Sequence, residues 1–507
     1  MNVRIRRLGI GLLLGYLLLF AQLNRVQVYG AQRLVEDPTN ARVAIEAFGA
    51  PRGRIATADG VVVAESLSTE SSRFDRQRHY PHGVLYAHLT GYHSFTSGVA
   101  GLESTYDEVL GGRTAEQRAD PLYDLFAADP ETADVVLTIN HALQQAAATA
   151  LGDREGAVVM LDPATGNVLA LWSSPSYDPN PLSSVDTTAA NEARSVLLAD
   201  PTNPLLPRAT GEIFAPGSTF KVVTATAAVE TAGFTLDLPL LNETDGYVPP
   251  LTNRAITNYG GSTCGGDLRE NMRASCNTAF AQIGAEYVGP YAMVAIAEGF
   301  GFNQSLPFDL PVAASNFPDD FGKVLSMVTD ETGQDTLIPV VEDTPLLAQA
   351  SIGQYEVAAT PLQMALVAAA VANNGNVPRP RLVDEIRDQS GQVISRPESG
   401  LWLEAMEPAT AALVAEGMRG VVAEGTARRL DIDGLVMGAK TGTAQVAAGQ
   451  IATHAWLVGF AGLPNQAPAV AFAVFVAADQ EAGEQTGGRV AAPIAREVLL
   501  ELFNISE

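Results

Sequence analysis

The first 30 residues constrain this chain more than any other feature. Arg4, Arg6 and Arg7 stand directly before an uninterrupted apolar run, Leu8–Ala21, and no acid falls among those positions. Arginines ahead of an apolar run mark a segment that keeps its charged end in the cytoplasm and sends the downstream chain across the membrane. The run has 14 residues, short of the roughly 20 of a full span. Leu23, Val26 and Val28 extend it, interrupted by Gln22, Asn24 and Arg25. A signal-peptidase cut needs small residues before it, and Val28-Tyr29-Gly30 ahead of Ala31 is a weak fit. The pattern is therefore read as an uncleaved, single-pass signal anchor over residues 1–30, with the rest of the chain outside the cytoplasm. A cleaved signal peptide would export the same residues. No later stretch is long and apolar enough to span a membrane.

A chain of 507 residues exceeds one ordinary core and predicts several domains. Asp and Glu number 57 against 31 Lys and Arg, a net charge of −26. That balance excludes a nucleic-acid binder, which needs surplus cations, and electrostatic adhesion to anionic lipid. Two cysteines, Cys264 and Cys276, exclude a disulfide-dense scaffold and a four-cysteine zinc site. Lysine occurs at three positions, Lys221, Lys323 and Lys440, while the other 28 basic residues are arginine. Arginine serves wherever a plain charge is enough, so the surviving lysines are candidates for work that requires losing a proton.

Residues 31–140 carry short strand-like runs such as Val61-Val62-Val63, separated by turns such as Asp59-Gly60. His79, His82, His88 and His93 lie here, but Pro81 breaks the segment and no pair has ligand spacing on a helix turn, so they read as turn or surface histidines and not as a metal site. From about residue 138 the texture changes. A helix over Ala142–Leu151 precedes two strands, Gly156–Leu161 and Val168–Trp172, joined by a turn at 162–166. An Ala-rich helix over Leu362–Ala372 stops at Asn373-Asn374-Gly375, and strands return at Ala455–Phe460 and Val470–Val476. Strands at both ends with helices between them predict an α/β (α+β) catalytic domain over 141–507.

The chemistry gathers in three places. Pro216-Gly217-Ser218-Thr219-Phe220-Lys221 opens a helical run over Ser218–Thr231. Residues three apart share a helix face, so Lys221 Nζ is within reach of Ser218 Oγ, and a serine at a helix start lies among free N–H groups. That arrangement suits a serine nucleophile with a lysine base, and equally an N-cap followed by a solvated lysine. Ser275-Cys276-Asn277 and Lys440-Thr441-Gly442-Thr443 lie further along. Either alone reads as a loop or turn. Together and in this order, Ser-x-x-Lys, Ser-x-Asn and Lys-Thr-Gly form the signature of penicillin-binding proteins and class A β-lactamases.

The likeness extends along nearly the whole chain. Arg52-Gly53-Arg54-Ile55, residues 78–83 and residues 98–103 resemble the interaction-domain motifs of class B penicillin-binding proteins, which makes 31–140 a pedestal domain by resemblance. Ser351-Ile352-Gly353-Gln354, residues 360–363, residues 454–460 and residues 487–493 resemble that family's catalytic scaffold. Asn258-Tyr259-Gly260-Gly261 and residues 275–280 resemble the A-type branch found in actinobacteria. One departure is Ala58-Asp59-Gly60, where the family often has an Asp-Arg-Asn-Gly turn.

The resemblance implies a penicillin-binding transpeptidase fold and D,D-transpeptidation of peptidoglycan stem peptides ending in D-Ala-D-Ala, with β-lactams as covalent inhibitors and no cofactor or metal. It implies Ser218 as nucleophile, Lys221 as base and Ser275 as proton carrier. Asn277, Lys440, Thr441, Gly442 and Thr443 would hold substrate, and the backbone N–H groups of Ser218 and Thr443 would form the oxyanion hole. A membrane glycosyltransferase of the shape, elongation and division family is the implied partner. Cys264 and Cys276 are expected to be disulfide-bonded, since both lie in the exported part. A D,D-carboxypeptidase and a catalytically idle scaffold are the rival readings. A class A β-lactamase would need a Glu-x-x-Leu-Asn segment for deacylation, and none is present.

Overall fold

The computed structural model describes residues 2–25, 45, 48–71, 73–114, 131–329, 337–445, 452–481 and 483–505. The candidate cleavage site at Val28-Tyr29-Gly30 lies outside these. Helix α1 (Asn2–Asn24) covers the leading apolar run, and its side chains, Leu8, Leu13 and Leu18 among them, are exposed. Among the described residues no helix is long and apolar enough to cross a membrane.

Four strands of the N-terminal part, β1 (Ile55–Ala56), β2 (Val62–Ser68), β3 (Arg76–His79) and β4 (Asp134–Leu137), lie in one sheet. β1 pairs antiparallel with β2 and parallel with β4. The sheet does not end there. Two strands from far along the chain complete six strands: Val383–Arg387 pairs onto β4, with Val135 opposite Ile386, and Val393–Ser395 pairs onto Val383–Arg387 at the edge. Packing therefore crosses the domain boundary expected at residue 140.

A buried ion cluster braces this part. Glu103, fully buried, accepts from Arg52 Nε at 3.0 Å and Arg78 Nε at 2.5 Å, and Arg52 reaches on to Asp107 at 2.7 Å. Burial alone would raise the Glu103 carboxyl, but Arg78 and Arg52 hold it below its usual value. A buried carboxylate persists when it is paired in this way. The turn that departs from the family pattern is also engaged, since the Asp59 carboxylate accepts from the His141 N–H at 3.1 Å.

Two of the histidines read as turn or surface residues are covered, His88 buried and His93 half-buried. His88 is buried with Nε2 2.9 Å from the Pro204 carbonyl, and burial lowers its pKa to about 4. His93 stacks on Phe48 at 5.1 Å, and burial, with Arg52 nearby, lowers its pKa to about 3. Among the described residues no group of side chains is arranged to hold a metal ion.

The elements that position the site, in chain order, are α2 (His141–Leu151), β5 (Gly156–Leu161), β6 (Val168–Ser174), α3 (Lys221–Ala232), α4 (Leu268–Ala274), α5 (Asn277–Gln282), α6 (Pro361–Ala372), α7 (Pro408–Ala423), β7 (Val436–Gln445), β8 (Thr453–Gly462), β9 (Val470–Val476) and α8 (Ala492–Leu502). The five strands form one antiparallel sheet in the order β7-β8-β9-β5-β6. β5 and β9 are buried along their whole length, as strands covered on both faces must be, and their sequences are unbroken apolar runs. α6 packs on β9, β8 and β5, and α2 packs on β6 beside α8. α6 is apolar all round because it is buried all round. Its start is set by Thr360, whose Oγ1 accepts from Gln363 N at 3.1 Å, with Pro361 at the first position. β7 is an edge strand, so one side of its backbone is left unpaired by the sheet and faces the helical part of the domain.

Candidate active site

Ser218 does not begin an α-helix. It lies in a 3-10 turn, Gly217–Phe220, and the α-helix proper starts at Lys221. Residues three apart eclipse one another in such a turn, which aligns Ser218 with Lys221 more closely than an α-turn would. The turn is fixed from below. Phe220 is buried, stacked on Phe317 at 5.3 Å. Gly217 N donates to Gly353 O at 2.9 Å, and Thr224 Oγ1 donates to Ser351 O at 2.6 Å. Gly353 has φ +71, and a Cβ there would lie 2.1 Å from Gly217 O and 2.7 Å from Phe220 Cβ. The Ser351-Ile352-Gly353-Gln354 segment is thus the floor on which the turn rests.

Strand β7 packs against the same turn. Gly442 permits this, because a Cβ at 442 would meet Pro216 O at 2.8 Å and Thr219 Cγ2 at 2.9 Å. The second segment arrives from the other side. α4 ends on Ser275 in the left-handed conformation, φ +59, before α5 starts at Asn277. A non-glycine residue held there is strained, and such strain persists only where its surroundings over-determine it. Cys276 N donates to Asn271 O at 3.0 Å and Thr278 N donates to Asn258 Oδ1 at 3.0 Å, which fixes the residues on either side of the bend. Cys276 points inward, buried, and is disulfide-bonded to Cys264 with Cα atoms 5.9 Å apart. That bond ties α5 to the strand Cys264–Gly266 ahead of α4.

The bend aims Ser275 at both lysines. Lys440 Nζ donates to Ser275 Oγ at 2.7 Å and to Thr441 O at 3.1 Å. Lys221 Nζ donates to Ser275 O and to Asn277 Oδ1, each at 2.7 Å, and lies 3.4 Å from Ser275 Oγ. Both lysines are fully buried. Burial drives the Lys221 pKa well below that of an ordinary lysine, and Lys440 lowers it further by like-charge repulsion. Burial lowers Lys440 to about 7. A neutral Lys221 amine has two N–H bonds, matching its two short contacts, and its lone pair is left for the serine hydroxyls. One expected contact is not made: among the described residues no hydrogen bond reaches Ser218 Oγ, so Lys221 is engaged with Ser275 and Asn277 instead.

Ser218, Ser275, Asn277, Thr441 and Thr443 line a cleft of about 930 Å³. Lys221, Lys440 and Gly442 lie behind its wall. Three residues that the motifs did not single out also build it. Thr426 Oγ1 lies 2.6 Å from Thr441 Oγ1 and lines the cleft. Asn258 is buried, and its Nδ2 donates to Thr244 O at 2.9 Å and Ser262 O at 3.0 Å, holding the wall beside Asn277. Thr257 O accepts from Asn277 Nδ2 at 3.0 Å. Asn258 opens a segment that carries the family resemblance, but nothing in its spacing marks it as the hub.

A helical domain on a five-stranded sheet, with a serine turn, a Ser-x-Asn bend and a Lys-Thr-Gly edge strand around one cleft, defines a class, and the chain belongs to it: it is a member of the penicillin-binding protein transpeptidase family. Residues 156–500 match the penicillin binding protein transpeptidase domain, and residues 52–136 match the penicillin binding protein A dimerisation domain. Among its relatives are the peptidoglycan D,D-transpeptidases PbpA of Mycolicibacterium smegmatis, 37% identical over 511 residues, and of Mycobacterium tuberculosis, 37% identical over 512 residues. In both cases 98% of each chain is covered. The ceftriaxone acyl-enzyme complex of penicillin-binding protein A from M. tuberculosis superposes with a TM-score of 0.80 at 35% identity, covering 90% of this chain and 99% of that one.

Proposed function

We propose that this chain is a peptidoglycan D,D-transpeptidase that works through a Ser218 acyl-enzyme and is inhibited covalently by β-lactams. The observation that carries the reading is the convergence of Lys221, Ser275 and Lys440 from three separate segments beside Ser218. The relatives named D,D-transpeptidases span the same length of chain.

In this reading Ser218 Oγ attacks the carbonyl of the penultimate D-alanine, and its proton passes to Lys221 Nζ. For this the Ser218 hydroxyl turns onto Nζ and displaces one of the contacts to Ser275 or Asn277. The lowered pKa of Lys221 supplies a free amine at neutral pH. The backbone N–H groups of Ser218 and Thr443 receive the developing oxyanion. The carbon–nitrogen bond then breaks, and the proton travels through Ser275 Oγ to the departing D-alanine amine. Asn277 holds the acyl-side amide. Lys440 and Thr441 hold the carboxylate, and Gly442 lets their strand approach the serine turn.

We place residues 31–140 as a pedestal, residues 141–507 as the catalytic domain and residues 1–30 as a signal anchor. The exposed apolar side chains of α1, with Leu23, Val26 and Val28 beyond its main run, support the last assignment. The inferred partner is a membrane glycosyltransferase of the shape, elongation and division family. Alkaline extraction of cell membranes tests the anchor, since release of the chain into the supernatant would exclude it.

Steady turnover of a D-Ala-D-Ala donor with and without an added amine tests the reaction. Cross-linked product supports the transpeptidase. Free D-alanine with no amine adduct would make the chain a carboxypeptidase, and no turnover at all would make it a scaffold.

A further inference from the structure

The cleft opens at one end into a second cavity of about 490 Å³. The two share Arg429, Glu484, Thr486 and Arg489. Arg489 is carried by the turn Gly487–Ala491, which packs against β7, the strand of Thr441 and Thr443. The second cavity therefore begins beside the residues that hold the substrate carboxylate in the proposed reaction.

The wall of this cavity carries three arginines, Arg154, Arg429 and Arg489, against two glutamates, Glu484 and Glu497. Some arginines of this acidic chain are paired, Arg208 with Glu155, Arg269 with Glu416 and Arg381 with Asp384. Among the described residues no ion pair engages Arg429 or Arg489, and both are exposed to the cavities. Glu484, which shares their wall together with Glu497, interacts with the Tyr259 hydroxyl. Two guanidinium groups facing a concave space with their donors uncommitted form a receptor for a carboxylate, which they match as planar forks.

We propose that this second cavity receives the acceptor strand, and that Arg429 and Arg489 hold a carboxylate on it, separate from the carboxylate held by Lys440 and Thr441. The inference rests on the transpeptidase reading. By microscopic reversibility the acceptor amine attacks the acyl carbon from the position that the leaving amine vacated. The body of the departing D-alanine pointed toward Thr441, so the body of the acceptor enters from that end, where the second cavity opens. The new carbon–nitrogen bond forms as the bond from the acyl carbon to Ser218 Oγ breaks, and the amine proton returns to Ser218 Oγ. Arg429 and Arg489 touch no reacting atom in this step. They select which amine is presented.

The test uses the full chain acylated by a D-Ala-D-Ala donor. The acceptors are D-2-amino dicarboxylic acids of increasing length (D-glutamate, D-2-aminoadipate, D-2-aminopimelate) and their ω-carboxamides. Each pair differs only in the distal charge. The expected result is that at one chain length the acid captures the acyl group about fivefold or more over its amide. Arg429→Gln and Arg489→Gln should abolish that preference through the acceptor KM, with capture of the amides unchanged. Acylation by penicillin needs no acceptor and should keep its wild-type rate in both variants, while wild-type acylation reads the transpeptidase proposal by itself. No acid preference at any length, or a preference that survives both substitutions, overturns the inference. So does a parallel loss of penicillin acylation, which would assign the arginines to the donor.

Discussion

Lys440 Nζ lies 2.7 Å from Ser275 Oγ although the two residues are 165 positions apart in the chain. The edge strand and the bend between α4 and α5 meet at this contact, and Lys221 approaches the same oxygen at 3.4 Å. Ser275 Oγ is thus placed to pass a proton between two desolvated amines and the substrate. The chemistry at this oxygen depends on which amine is charged at a given pH.

The nucleophile assignment is the simplest to check. Ser218→Ala should abolish covalent labelling by fluorescent penicillin while circular dichroism and melting temperature stay at wild-type values, because the side chain is partly exposed and makes no hydrogen bond among the described residues. A penicilloyl adduct on the alanine variant would refute the assignment.

Lys221→Arg should be nearly as damaging as Lys221→Ala. Arginine keeps the charge but cannot shed a proton, and a general base contributes about a hundred- to ten-thousand-fold in rate. The second-order acylation rate with a β-lactam near neutral pH measures it. A loss below about tenfold, roughly 1.4 kcal/mol, would leave Lys221 as a charge and not a base.

The pH dependence comes from the two lysines, which titrate as a coupled pair. Lys221 must be neutral to accept the Ser218 proton, so acylation rises as pH climbs through its depressed pKa. Lys440 must be charged to attract a carboxylate, so acylation by an anionic β-lactam falls as pH rises through about 7. Rate constants measured from pH 5 to 9 should show a bell. A plateau extending to pH 9 would remove Lys440 from carboxylate recognition.

Gly353→Ala places a Cβ against Gly217 O and Phe220 Cβ at positive φ. The expected cost exceeds about 1 kcal/mol, read as a lowered melting temperature, because a side chain with φ above zero is strained. Acylation should slow as well, since the serine turn must shift to make room. Unchanged stability and rate would show that the floor is not rigid.

Cleavage of the Cys264–Cys276 bond by a double Cys→Ser substitution should destabilise the domain by up to about 3 kcal/mol on the chain-entropy account of a loop this short. Denaturant titration measures it. Two free thiols in the unreduced exported protein would exclude the bond.

Much of the fold was legible because its signals are local. β5 and β9 run over the residues their apolar patterns predict, and α6 begins one residue before the predicted start because Thr360 and Pro361 cap it. The three motifs come together around one cleft. What escaped was non-local. Val383–Arg387 joins the N-terminal sheet through register with β4, and nothing in its own sequence says which sheet it will complete. His88 and His93 look like polar loop residues until distant groups cover them. The contact between Lys221 and Ser218 expected from i, i+3 spacing was displaced by Asn277, which is 56 residues away and unreadable from periodicity. Thr426 is a single threonine in an ordinary helix-to-loop stretch, and only its partner across the cleft gives it a role.

The six-stranded sheet has a practical corollary. A truncation at residue 140 would remove the strand that Val383–Arg387 pairs with. The severed catalytic half would then carry a bare ladder of unpaired N–H and C=O groups, a template for pairing with the next molecule. Attempts to express that half by itself should yield aggregates unless the edge is blunted. For the same reason the two halves are joined by main-chain hydrogen bonds as well as by the chain itself.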